Sequence, residues 1–188
     1  KIAASNQLDE YVIKSLLEQN ASLDLFGVGT KLVIGDPDSA LDGVYKLAYA
    51  HGKPRIKLSD SLSKVTLPDK KQVFRLLDDK GQFLGADVVA LQHEPASKLD
   101  TMYHPLDWDK SMSVEGFEKE SLLKPVMERG KRTIQQCSLT EIAEYSQLRL
   151  SQLPSEYKRF DNPHIYKVGL SSQLNNLRNE LKRQHKPS

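Results

Sequence analysis

Two short stretches near the amino end carry residue types that can hold an anion. Ser5-Asn6-Gln7 offers a hydroxyl and two amides just ahead of a segment with helical spacing. The free backbone N–H groups of a helix start would point the same way. Farther on, Gly27-Val28-Gly29-Thr30 interrupts an apolar run. Two glycines leave the backbone unshielded, so N–H groups can approach a phosphate while the Thr30 hydroxyl donates one more bond. The same pattern also makes plain turns, and Asp9 and Glu10 place negative charge close to the first loop. Ser5, Asn6, Gly27, Gly29 and Thr30 are therefore either one phosphate cradle or two turns.

The other candidates are weaker. The sequence has no Gly-x-Ser-x-Gly elbow, no Walker A loop and no His-Glu-x-x-His pair. His51, His93, His104, His164 and His185 are scattered without ligand spacing, so no structural metal is expected. Asp36/Asp38 and Asp107/Asp109 sit in turn-like contexts and read as turn formers. Arg178, Lys182, Arg183 and Lys186 read as a solvated helix end, since no interleaved aromatics offer a stacking surface for nucleic acid.

Composition narrows the classes further. The 188 residues can bury a real core but fall short of a complete eight-stranded α/β barrel, which takes about 250 residues. With 27 Lys plus Arg against 25 Asp plus Glu, a net charge of +2 gives no global field for nucleic acid or membrane. A single cysteine, Cys137, rules out an internal disulfide and suggests a reducing compartment. No apolar run approaches a membrane span, so a cytoplasmic protein is expected. The chain opens abruptly without an initiator methionine, which points to a piece of something longer.

The elements that must position the two loops follow from periodicity. Lys1 to Ser5 reads as a short strand, and Leu8, Tyr11, Val12 and Leu16 have amphipathic helical spacing, with Asn6 as its N-cap. Leu23 to Ile34 reads as a second strand-like run, giving β-loop-α-β with both strands buried on two faces as in parallel sheets. Residues 43 to 94 read as an antiparallel β module of two hairpins, one turning at Gly52 and one at Asp79-Lys80-Gly81. After a loop region, helices are expected: 117 to 130, ended or kinked by Pro125, and 138 to 153, opened by a Ser138/Glu141 capping box. A last strand around 164 to 171 precedes a closing helix with Leu174, Leu177 and Leu181 on one stripe.

At this point the residues become familiar as a group. The Ser-Asn loop, Phe26-Gly27-Val28-Gly29-Thr30, Gly43-Val44-Tyr45-Lys46-Leu47 and the run Lys64 to Leu76 closely resemble, in order, the carboxyl-terminal part of the nicotinate phosphoribosyltransferase family. The likeness is strong to about residue 95 and returns at Asn162 to Leu181. It implies an α/β fold, or α+β for a partial chain. Residues 1–42 would be the last two strand-helix units of an irregular phosphoribosyltransferase-type barrel. Residues 43–188 would be a carboxyl-terminal module of hairpins, helices, a closing strand and a helix. It implies that Ser5, Asn6, Gly27, Gly29 and Thr30 bind the 5-phosphate of phosphoribosyl pyrophosphate. The family's phosphorylatable histidine and nicotinate-binding groups match no position here. The implied reaction joins nicotinate to phosphoribosyl pyrophosphate to give nicotinate mononucleotide in NAD salvage, coupled to ATP hydrolysis, with Mg2+ accompanying the pyrophosphate and a homodimer as the working unit. A sister enzyme acting on nicotinamide or quinolinate, or a non-catalytic module that keeps only the loops, remains the alternative.

Overall fold

In the computed structural model, which describes residues 1–185 apart from 41, 42, 62, 63 and 108, the chain forms two units, Lys1–Tyr45 and Lys46–Ser188. The division expected after residue 42 falls against 41 and 42, outside the described residues, as does Lys186 of the basic cluster.

The first unit is the expected β-loop-α-β. Strand β1 (Ala3–Ser5) runs parallel to β2 (Leu25–Gly27), pairing Ala3 with Leu25, Ala4 with Phe26 and Ser5 with Gly27. Helix α1 (Glu10–Glu18) lies between them in sequence. Three local expectations are corrected. The N-cap is Asp9, whose Oδ1 accepts the Val12 N–H at 2.8 Å; Asn6 and Gln7 instead adopt φ of 82° and 53°, incompatible with the extended backbone of a cap. The chain after Gly27 is no strand: Gly29 opens a short helix α2 (Thr30–Ile34), its first turn closed by Val33 N–H to Gly29 O, and left-handed Gly35 ends it. The strands are not buried on two faces either, since Ile2 is 57% and Leu25 52% exposed.

The second unit is a mixed sheet. Strands β3 (Tyr49–Ala50) and β4 (Lys53–Pro54) form the expected hairpin, far shorter than the sequence suggested, around His51 and Gly52. Both turn residues have positive φ, as a two-residue hairpin turn with the right twist requires. Strands β5 (Lys71–Leu77) and β6 (Phe83–Leu91) form the second hairpin; Asp78 Oδ1 ties its turn by accepting the N–H groups of Lys80 and Gln82. There follow β7 (Thr101–Tyr103), β8 (Ser111–Ser113), β9 (Glu118–Ser121), β10 (Met127–Glu128) and β11 (Lys131–Arg132). Helix α3 (Leu139–Gln152), β12 (Lys167–Ser171) and α4 (Ser172–Gln184) complete the chain.

Six of these strands make one sheet, in the order β8-β7-β12-β6-β5-β9, with β12 parallel to β6 and the other pairs antiparallel. The fold is thus mixed α+β. Alternate residues of β6 face opposite cores. Ala86, Val88 and Ala90 join Phe74, Leu76, Met102 and Val114 on one side. On the other, Leu91 and Val89 meet Leu170 and the α4 stripe of Leu174 and Leu177.

The helix expected over 117–130 is absent. β9 pairs with β5, and the Gln72 amide clamps the backbone beyond it through Leu123 N–H and Leu123 O. β10 and β11 then form a hairpin around Arg129 and Gly130, both with positive φ. An unpaired edge of β5 and a turn-forming Arg-Gly pair outweigh the weak helical pattern of these residues. The capping box at Ser138 is present as expected, with Ser138 N–H donating to Glu141 Oε2 at 2.7 Å. The basic cluster is only partly a solvated helix end: Arg178 is buried and donates to Pro105 O at 2.7 Å.

Candidate functional site

The parallel pairing of β1 with β2 brings their two following loops together. Asn6, Gln7 and Leu8 from one loop and Gly27, Gly29, Thr30 and Lys31 from the other line a single small cleft of about 170 Å³. Four of the five residues picked from the sequence are in that lining. The fifth, Ser5, stands behind it on β1, directly opposite Gly27.

The two glycines serve different ends. A Cβ on Gly27 would come within 3.2 Å of Ser5 Cβ, tight enough that Ser5 would have to give by a few tenths of an ångström. A Cβ on Gly29 would meet nothing within 4 Å, so its absence leaves the backbone at the start of α2 uncovered toward the cleft. Leu8, 6% exposed, is the apolar floor.

Leu8 and Lys31 were missed from sequence, whereas Gln7 belongs to the Ser5-Asn6-Gln7 stretch already noted. A lysine directly after Gly-x-Gly-Thr was the available signal for Lys31. Its Nζ pairs with Asp36 Oδ2 at 2.6 Å, which raises its pKa above the ordinary lysine value, with Asp9 and Glu10 adding weaker attraction. Asp36 is thereby an ion-pair partner as well as a turn former. Asp107 likewise pairs with Lys110, at 2.7 Å, and its carboxyl is held below the usual range by that bond.

The cleft's groups are two side-chain amides, a hydroxyl, an ammonium and uncovered backbone. That donor-rich set suits an anion such as a phosphoryl group. It contains no acid–base pair and no nucleophile with a base beside it, so chemistry at a bond is beyond it. A larger hollow of about 660 Å³ lies in the second unit, floored by Met102, Met112 and Val168. The second unit also holds an ion pair between Arg75 and Asp87 at 3.1 Å, with Tyr166 donating to Asp87 Oδ1 at 2.8 Å. These side chains satisfy one another.

The family model for the nicotinate phosphoribosyltransferase C-terminal domain matches residues 70–187. The chain belongs to the nicotinate phosphoribosyltransferase family. It is 36% identical over 191 residues to nicotinate phosphoribosyltransferase of Bacillus subtilis (strain 168), an alignment covering 98% of this chain and 39% of that one. With the Homo sapiens enzyme it is 34% identical over 182 residues, covering 96% of this chain and 34% of the relative. A crystal structure of human nicotinic acid phosphoribosyltransferase superposes with a TM-score of 0.73 at 31% identity, covering 96% of this chain and 32% of that one. The chain therefore spans between about a third and two-fifths of the length of these nicotinate phosphoribosyltransferases. The family domain begins at Lys70, beyond the cleft; the alignment with the Bacillus relative, which takes in nearly the whole chain, reaches the loops.

Proposed function

We propose that this chain is the carboxyl-terminal portion of a nicotinate phosphoribosyltransferase, and that the cleft between its first two loops holds the 5-phosphate of phosphoribosyl pyrophosphate. The observation that carries this reading is the convergence of Asn6, Gly27, Gly29 and Thr30 on one cleft, in a chain of this family. β1, α1, β2 and α2 are then the last two strand-helix units of the barrel, whose phosphate sites lie at strand ends.

In the complete enzyme the pyridine nitrogen of nicotinate attacks ribose C1 as pyrophosphate leaves. The transition state has oxocarbenium character, so positioning of the ribose and stabilisation of separating charge dominate catalysis. This chain's part is positioning. Uncovered N–H groups at Gly29 and the Thr30 hydroxyl donate to the phosphate, and Asn6 and Gln7 close the other side. Lys31 lines the rim with its ammonium held by the Asp36 carboxylate. The cleft has no carboxylate among its lining residues and does not fit Mg2+, so no step is assigned to that ion here. Coupling to ATP hydrolysis, a homodimeric assembly and a cytoplasmic location belong to the same proposal. No helix among the described residues is long and apolar enough to cross a membrane.

The test is Thr30→Ala in the full-length enzyme. Losing one charge-assisted hydrogen bond, about 1 to 3 kcal/mol, should raise KM for phosphoribosyl pyrophosphate roughly 5-fold to 150-fold with KM for nicotinate unchanged. An unaltered KM for phosphoribosyl pyrophosphate would remove Thr30 from the site.

A further inference from the structure

The turn that leads into β5 gathers three backbone carbonyls around one ammonium. The Lys71 Nζ donates to three consecutive backbone carbonyls, Leu67 O at 2.9 Å, Pro68 O at 3.3 Å and Asp69 O at 2.5 Å. All three protons of the ammonium are thus directed at carbonyl oxygens, and among the described residues no carboxylate joins them. Asp69 acts on it only by charge at longer range. Rings of carbonyl oxygens are the donors that replace the hydration shell of a potassium ion.

The turn holds together several parts of its unit. Pro68 is fully buried, and Leu67 packs against the cluster of Leu91, Leu170 and Leu174. Asp69, with φ of 66°, donates its N–H to Ala48 O at 2.8 Å, and the Lys70 carbonyl accepts the Gln92 N–H at 2.9 Å. Three carbonyls aimed at one point repel one another unless a positive charge sits between them.

We propose that Leu67-Pro68-Asp69 is a monovalent-cation cradle occupied by the protein's own Lys71 ammonium, and that removing the side chain converts it into a site for potassium or ammonium ion. The lysine acts as an internal, permanently tethered cation that fixes the junction between the β3–β4 segment and the large sheet. Burial lowers its pKa below the ordinary lysine value, and the charge of Asp69 acts against that shift, so the geometry of the three carbonyl bonds carries the proposal. The inference is independent of the phosphate cleft, because none of these residues lines it.

The experiment is thermal unfolding of Lys71→Ala in potassium, ammonium and tetramethylammonium chlorides at equal ionic strength. In tetramethylammonium, too large for the cradle, the midpoint should fall by about 4 to 8 °C relative to the unmutated chain. Potassium or ammonium should restore much of that, while the unmutated chain is indifferent to the salt. A Lys71→Ala midpoint that is the same in all three salts would overturn the proposal. So would Lys71→Met matching the unmutated chain in tetramethylammonium. If the alanine variant does not fold, nitrogen-detected NMR of the unmutated chain decides. The Lys71 ammonium protons should exchange much more slowly than those of exposed Lys80 and Lys98; equal rates would refute the cradle.

Discussion

The two units differ in where their apolar side chains go. In the sheet unit, Leu76, Val88, Val114 and Leu174 are wholly buried. In the loop-bearing unit only Leu8 among the described apolar residues is buried, while Leu32 and Val33 are 72% and 84% exposed. The sheet unit therefore carries its own core, and the residues suited to hold a phosphate sit on a scaffold with little core of its own.

This contrast is most directly broken by truncation. Leu76→Ala should cost about 2 to 5 kcal/mol in chemical unfolding of this chain, because a fully packed side chain leaves a cavity. Val33→Ala should stay within about 0.5 kcal/mol, since water already surrounds it. A comparable loss from Val33→Ala would mean the first unit holds a core that the exposures do not show.

A glycine substitution probes the sheet unit at finer grain. Gly85 has φ of 66°, and a Cβ there would fall 2.0 Å from the Tyr157 ring. Gly85→Ala should destabilise by about 1 to 3 kcal/mol through overlap and backbone strain together. Pairing it with Tyr157→Ser should recover the overlap part only, which a double-mutant cycle would read as coupling. No coupling would show that the tyrosine stays clear of that space in solution.

The legible and illegible parts of the sequence follow the same division between local and distant causes. The β5–β6 hairpin, the capping box and the α4 stripe are visible because each is specified by residues close together in sequence. The parallel pairing of β12 to β6 joins Leu170 to Val89 across the chain and has no local signature. The Glu118–Ser121 strand exists because β5 offers an edge, and its own residues lean toward helix. The two loops of the cleft were found because glycines and a threonine are local signals. Lys31 was missed because its role depends on the partner Asp36 and on the fold of α2. Asn6 reads as a cap because nothing local distinguishes it from Asp9, three residues on.

A pH experiment sharpens the comparison next. Burial first, then the bond to and charge of Asp87, push the Tyr166 phenol well above its ordinary value of 10.0. The folded chain keeps that proton where the unfolded chain loses it. The phenol thus contributes stability that is fully present below about pH 10 and declines as the pH rises past the unfolded value. Tyr166→Phe should lose the alkaline part of this decline when unfolding is followed from pH 9 upward. An identical alkaline limb in the variant would show that Tyr166 titrates normally.

The smallest effect separates two serine caps that are chemically alike. Ser138 caps α3, a helix without a buried residue, whereas Ser171 caps α4 and is wholly buried. Ser171 Oγ accepts the Leu174 N–H at 3.2 Å and donates to buried Glu94 Oε1 at 2.6 Å, and Glu94 Oε1 also accepts the Leu91 N–H. Removing Ser171 therefore strands a helix N–H and weakens the solvation of a buried carboxylate. Removing Ser138 leaves its partners open to water. Ser171→Ala should cost about 2 kcal/mol globally, and Ser138→Ala about 0.5 to 1 kcal/mol, confined to fraying at the start of α3. Hydrogen exchange distinguishes the two, because the first variant should raise exchange throughout the sheet and the second only near residues 139 to 142. Equal, local effects from both would mean that burial of the cap adds nothing, and that the sheet unit draws its stability from apolar packing alone.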